Sequence, residues 1–250
     1  MSAPQVLVHR DLDLLAEAAA ARLVTRIADA QAARGTASAV LTGGGAGTAV
    51  LAALAATGAR DAIDWSRLDV WWGDERFRPA GDAERNETGA RAALLDHVPV
   101  DPARVHPMAP SDGPDGDDPE AAAERYAAEL RAAAGAGEPV PEFDVLMLGV
   151  GPDAHVASLF PGMPALHDER PVVAVHDSPK PPPTRISLTF PSLRAAREVW
   201  VLAAGESKAE AVRLGLSAGT EQVRAPVAGA RGKERTLFLL DTAAASRLPI

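Results

Sequence analysis

The chain has 250 residues, with 34 acidic and 25 basic side chains, a formal net charge of -9, and no cysteine. These figures exclude a disulfide framework, a CxxC metal knuckle and a thiol nucleophile, and the acid excess leaves no general basic face for nucleic acid. A chain of this length buries roughly 72% of its unfolded surface, so a core forms without covalent staples.

The N-terminus lacks the basic region and long apolar run of a signal peptide. No stretch of 18 uncharged apolar residues appears, so no membrane span is expected and the cytoplasm is the expected location. Taken in order, residues 5–9 read as a strand and 11–34 as a long helix, with Leu14, Leu15, Ala18, Leu23 and Ile27 at helical spacing. A strand at 38–42 runs into Gly43-Gly44-Gly45, and helix resumes at 48–56. A strand at 68–72 ends in Gly73-Asp74-Glu75-Arg76, followed by helix at 83–95. Residues 111–119 form a Gly/Pro/Asp loop, read as solvated, before a helix at 120–134. The apolar strand 143–149 leads into Gly-Pro-Asp and a short helix. Strands near 172–175, 185–188 and 199–203, a helix at 206–216 and a strand at 236–240 complete the chain. Strands alternating with helices predict an α/β fold: a mainly parallel sheet with helices on both faces, in one domain spanning 1–250.

Ligands of open parallel sheets bind beyond the carboxyl ends of the strands, so the loops there are the places to inspect. Gly43, Gly44 and Gly45 join a strand to a helix, and their exposed amides beside a positive helix end suit a phosphate; a plain tight turn fits them equally well. In Asp74-Glu75-Arg76, Arg76 suits bidentate anion binding and Asp74 suits a hydroxyl or the orienting of a base, while a solvated strand end is the simpler alternative. His155 follows Gly149-Val150-Gly151-Pro152-Asp153-Ala154, where Asp153 reads as a helix N-cap and the helix end would keep the imidazole neutral, as a general base requires. Lys208 sits in a first helical turn against the dipole, a placement that an anion would relieve. Lysine is scarce, with Lys180, Lys208 and Lys233 against 22 arginines. Arg185, after the stiff proline run 181–183, is a weaker anion candidate. No Gly-x-Ser-x-Gly elbow or HExxH helix is present.

At these residues the chain resembles the 6-phosphogluconolactonase family. The resemblance rests on Gly43–Gly45, on Trp72-Gly73-Asp74-Glu75-Arg76 with Arg85-Asn86, and on Leu148-Gly149-Val150-Gly151-Pro152-Asp153-Ala154-His155. Ser158-Leu159-Phe160-Pro161-Gly162, Pro183-Thr184-Arg185-Ile186-Ser187 and Gly205-Glu206-Ser207-Lys208 extend it. It implies a Rossmann-like fold shared with sugar-phosphate isomerases. It also implies hydrolysis of a phosphorylated sugar lactone in the pentose phosphate pathway, without cofactor or metal, by a monomer or small homo-oligomer. By position, His155 matches the family's general base, Asp74 and Arg76 its aspartate and arginine, and Lys208 its phosphate-side lysine. Gly43, Gly44, Gly45 and Arg185 complete the expected phosphate-binding set. Two departures stand out: Ala154 replaces a usual glycine, and Gly45-Ala46-Gly47 replaces hydroxyl residues. The resemblance leaves two alternatives. A glucosamine-6-phosphate isomerase-deaminase typically carries a carboxylate after the histidine, which 156–162 lacks. A non-catalytic sugar-phosphate sensor would need a DNA-binding element.

Overall fold

A computed structural model describes residues 3–249. The chain opens with strand β1 (Gln5–His9) and helix α1 (Leu12–Arg34). Asp11 starts α1 because its carboxylate accepts the Leu14 amide at 3.0 Å, and Gly35 ends it at φ 82°. Strand β2 (Ala37–Leu41), helix α2 (Gly44–Ala56), strands β3 (Leu68–Trp72) and β4 (Asp74–Arg76), and helix α3 (Asn86–Ala93) follow. Helix α4 (Pro119–Ala133) has Asp118 as its cap and Pro119 at its first position. Then come β5 (Val145–Gly149), β6 (Val172–Val175), β7 (Arg185–Leu188), the single turn α5 (Phe190–Leu193), β8 (Glu198–Ala203), α6 (Ala209–Leu216) and β9 (Arg235–Asp241).

Six strands form one parallel sheet in the order β1-β9-β8-β5-β2-β3, the α/β architecture the alternation predicts. Side chains alternate across it into two cores, as the period of two requires. Leu41, Val70, Trp72, Met147, Trp200 and Leu239 point to the face packed by α1, α2 and α3. Val40, Trp71, Leu148, Val201 and Phe238 point to the face covered by α4 and α6. Both faces being dry explains why β5 and β8 are apolar almost throughout. Among the described residues, no helix is long and apolar enough to cross a membrane.

The structure departs from expectation at three places. The segments 172–175 and 185–188 leave the parallel sheet: β4, β7 and β6 make a separate antiparallel sheet. Part of the second face is therefore covered by strands rather than helices. Residues 74–76, read as a loop, are its edge strand. The acidic loop 111–119 is also more than solvated, since Asp115 pairs with Arg125 at 2.6 Å and Asp112 accepts the Ala80 amide.

Two contacts fix how the sheets meet. Gly73 sits between them, its N–H donating to Leu41 O (3.2 Å) and its carbonyl accepting the Leu188 amide (2.9 Å). Tyr126 on α4 accepts the Trp72 amide at 2.9 Å and donates to the Trp72 carbonyl at 3.2 Å, satisfying main-chain groups on the outer edge of β3.

Candidate functional site

The strand order reverses between β2 and β5. From there the chain runs outward to β3 on one side and through β8 to β9 on the other. Loops leaving a sheet at such a point diverge and open a crevice. A cavity of about 290 Å³ lies there, lined by Thr42, Gly43, Gly44, Asp74, Arg76, Asn86, Gly149–Gly151, His155, Ala157, Lys180, Pro181, Arg185 and Lys208. Ligand pockets run from roughly 300 to 1,000 Å³, so this one suits a small molecule.

The short helix expected around Asp153 does not form. Antiparallel bridges from Val150 to Val156 and from Val156 to Leu159 instead fold the segment into a tight loop. The loop is closed by Gly151 N–H donating to His155 O (3.0 Å) and Ala154 N–H to Gly151 O (2.9 Å). Ala154 adopts φ 67°, a left-handed conformation that costs a residue with a Cβ about 1 kcal/mol. This is one of the two positions where the sequence departs from the pattern that the resemblance implies. Asp153 is not a helix cap: its Oδ1 accepts from His155 Nδ1 at 2.7 Å and from Lys180 Nζ at 2.8 Å. Gly151 is required by this packing, because a Cβ there would lie 2.0 Å from His155 Nδ1 and 2.2 Å from Asp153 Oδ1.

Burial of the Asp153 carboxyl opposes ionisation. The hydrogen bonds and charges of His155 and Lys180 outweigh it and hold the group well below the usual carboxylate range. A carboxylate only accepts hydrogen bonds, so Nδ1 of His155 carries a proton and, in the neutral ring, the lone pair lies on Nε2. The ring packs on Phe160, with centroids 4.5 Å apart. Position and tautomer of His155 are thus set from two sides.

On the opposite wall, the buried Asp74 receives Ser158 Oγ at 2.7 Å and Asn86 Nδ2 at 3.3 Å. Asn86 Oδ1 accepts from Arg76 Nη1 at 2.8 Å. Asn86 also presses on the glycine turn, where a Cβ at Gly43 would come 1.9 Å from its Oδ1. Glycine at 43 therefore permits a close approach rather than an unusual φ. Beneath this group lies Glu75, 1% exposed, which accepts the amides of Arg76 (2.8 Å), Asn86 (2.6 Å) and Glu87 (2.9 Å). Burial pushes its carboxyl up to about 7, against the pull of Arg85 and those three amides. Glu75 thus ties the start of α3 to β4, and through Asn86 it fixes Arg76.

Four cations line the cavity: Arg76, Lys180, Arg185 and Lys208. Arg185 is buried, and its Nε and Nη2 donate to the carbonyls of Pro182, Lys180 and Pro181 at 3.0–3.2 Å, pinning the proline loop. Burial and the like charge of Lys180 push the Lys208 ammonium below its ordinary value, with Asp153 pulling the other way. Among the described residues, no group of three or more His, Asp or Glu side chains is placed to hold a metal ion.

Of the residues singled out from sequence, the structure brings together His155, Asp74, Gly43, Gly44, Arg76, Arg185 and Lys208. Gly45, in the first turn of α2, is not part of the lining. Asn86 and Asp153 gain importance, and Lys180 was missed. The signal for Lys180 was available in the scarcity of lysine: two of the three lysines face this cavity.

The family model for glucosamine-6-phosphate isomerases/6-phosphogluconolactonase matches residues 10–239. A 6-phosphogluconolactonase of Streptomyces coelicolor is 66% identical over 249 residues, covering 98% of this chain and 95% of its own length. One of Mycobacterium tuberculosis is 52% identical over 243 residues, covering 97% of each chain. The solved 6-phosphogluconolactonase of Trypanosoma brucei superposes with a TM-score of 0.84 at 29% identity, over 98% of this chain and 99% of the other.

Proposed function

The chain belongs to the glucosamine-6-phosphate isomerase/6-phosphogluconolactonase family and acts as a lactonase on a phosphorylated sugar, and we propose that the cavity beside His155 is where it hydrolyses 6-phospho-D-glucono-1,5-lactone to 6-phospho-D-gluconate. One observation carries this assignment: a histidine held in the proton-accepting tautomer by a 2.7 Å bond lines a cavity that also holds four cations.

In the reaction, Nε2 of His155 takes a proton from water, and the water oxygen adds to C1 of the lactone. The C1–ring oxygen bond then breaks, and the proton on Nε2 passes to the departing ring oxygen. Asp153 stabilises the imidazolium through Nδ1–H in between. Arg76 and Lys208, with the amides at Gly43 and Gly44, hold the phosphate dianion, and Arg185 adds positive potential while fixing the loop. Asp74, held by Ser158 and Asn86, faces the sugar hydroxyls. Gripping the phosphate far from C1 presents the carbonyl to the activated water, so remote binding energy serves the chemical step. Residues 1–250 act as one domain, as a monomer or small homo-oligomer. The cytoplasm is the natural site for a substrate whose charge keeps it from crossing membranes.

The test is lactone disappearance above its spontaneous rate. His155→Ala should lose at least about 100-fold in kcat while binding 6-phosphogluconate within a few-fold of the parent. Near-normal turnover in that variant would refute the assignment.

A further inference from the structure

Lys180 makes a contact that general-base chemistry does not by itself demand. Its Nζ lies 2.8 Å from Asp153 Oδ1 and 3.3 Å from His155 Nδ1, closing a triangle with the 2.7 Å His155–Asp153 bond. An ammonium donates only, and Nδ1 already carries the proton it gives to Asp153. The 3.3 Å approach is therefore a cation set against an N–H, not a second hydrogen bond. A carboxylate alone beside a histidine favours the imidazolium, which is a spent base. A cation bonded to that same carboxylate reduces its pull and repels a charged ring directly.

On the reading that His155 is the general base, we propose that Lys180 is a positioning residue that keeps His155 in its proton-accepting form until substrate arrives. The sequence suggested a helix end for this task; no helix forms there, and the lysine stands in its place. Arg185 Nη2 holds the Lys180 carbonyl at 3.1 Å, so the ammonium is delivered by an anchored loop. The other charges facing the imidazole are Arg185, over the Phe160 ring, Lys208 at the start of α6, and Asp74 and Arg76 on β4 across the cavity. Only Asp153 and Lys180 touch Nδ1, so the balance is chiefly between them.

The test follows the His155 imidazole by NMR through a pH titration of the ligand-free protein, with His155→Gln assigning the signal. In Lys180→Met the midpoint should move up by about one pH unit, and Lys180→Arg should restore it. Asp153→Asn should move it down, a reversal of sign that disturbed packing would not produce. The acid limb of kcat should follow the same order. An unmoved midpoint in Lys180→Met, with Lys180→Gln as the substitute if that variant does not fold, overturns the proposal. A raised KM with the limb in place also overturns it and makes Lys180 a phosphate ligand instead. Because the titration needs no substrate, a shifted midpoint without lactone turnover would sink the assignment of function and leave this inference standing.

Discussion

Around the amino-terminal ends of the parallel strands several cations meet carboxylates; of the four cations in the cavity at the carboxyl-terminal ends, only Lys180 does, among the described residues. Arg26 lies 3.0 Å from Glu198, Arg197 pairs with Glu234 at 2.6 Å and also with Glu142, and Lys233 reaches Glu142 at 3.0 Å. Arg34 joins the buried Asp144, whose other oxygen accepts the Ser38 amide at 2.9 Å. In the cavity, by contrast, Arg76 donates to a carbonyl and an amide oxygen, and Arg185 to carbonyls alone. Lys208 has no ion-pair partner within 4 Å among the described residues. These amino-terminal cations are neutralised internally, while the cavity leaves charge for a ligand. A chain of net charge -9 can therefore bind an anion, because binding depends on a few groups at one rim while the overall field governs solubility and steering.

The contrast extends to stability, where the cavity end accepts costs that the opposite end avoids. The largest expected effect lies in Glu75. Its folded-state carboxyl stands near 7, above the 4.5 of the unfolded chain, so the fold holds a proton that the unfolded chain releases. Stability from this group is full below pH 4.5 and is lost as pH rises through about 7, on the order of 3 kcal/mol in all. Glu75→Gln removes that dependence. Its deficit against the parent should therefore be greatest near pH 4.5 and shrink towards pH 7, as read by urea unfolding across that range.

At the amino-terminal end, Asp144→Ala strands the Ser38 amide and frees Arg34. A loss of about 2 kcal/mol is expected in the same assay, with KM for the lactone unchanged. A shift in KM would show that the two ends are coupled. Lys208→Ala should do the reverse, raising KM about tenfold with little change in melting temperature, since an unpaired cation contributes to ligand binding and little to the fold. The smallest effect belongs to Ala154→Gly. Relief of the left-handed backbone, about 1 kcal/mol, is set against a lost buried methyl and a looser unfolded chain. Unfolding free energy should stay within about 0.5 kcal/mol of the parent, and a gain above about 1 kcal/mol would show that alanine there is a real burden.

The main sheet was readable because its signals are local. β1 and β3 match their predicted spans, and α1 begins at the Asp11 cap and stops before Gly35. Asp74–Arg76 escaped notice as a strand because three charged residues carry no strand pattern. Pairing with β7 and the Asn86 and Glu87 amides on Glu75 hold it extended, and those partners lie well outside the segment. Around Asp153 the local signal misled. Gly-Pro-Asp imitates a helix start, yet the Val150–Val156 bridge and the left-handed Ala154 and Ala157 take the chain elsewhere. The site residues at strand ends were legible by position. Lys180 was not, because the residues that give it meaning lie 25 and 27 positions earlier and meet it only in the folded chain.

Gly73 shows what this architecture does for a ligand. Its amide belongs to one sheet and its carbonyl to the other, so Thr42 and Gly43 on one side and Asp74 and Arg76 on the other are set in place by a single shared residue. The two sheets cannot splay without breaking a hydrogen bond at that joint. The backbone that carries the cavity-lining groups is thus set when the protein folds. Little ordering is left to oppose association, and the free and occupied sites should be nearly superimposable.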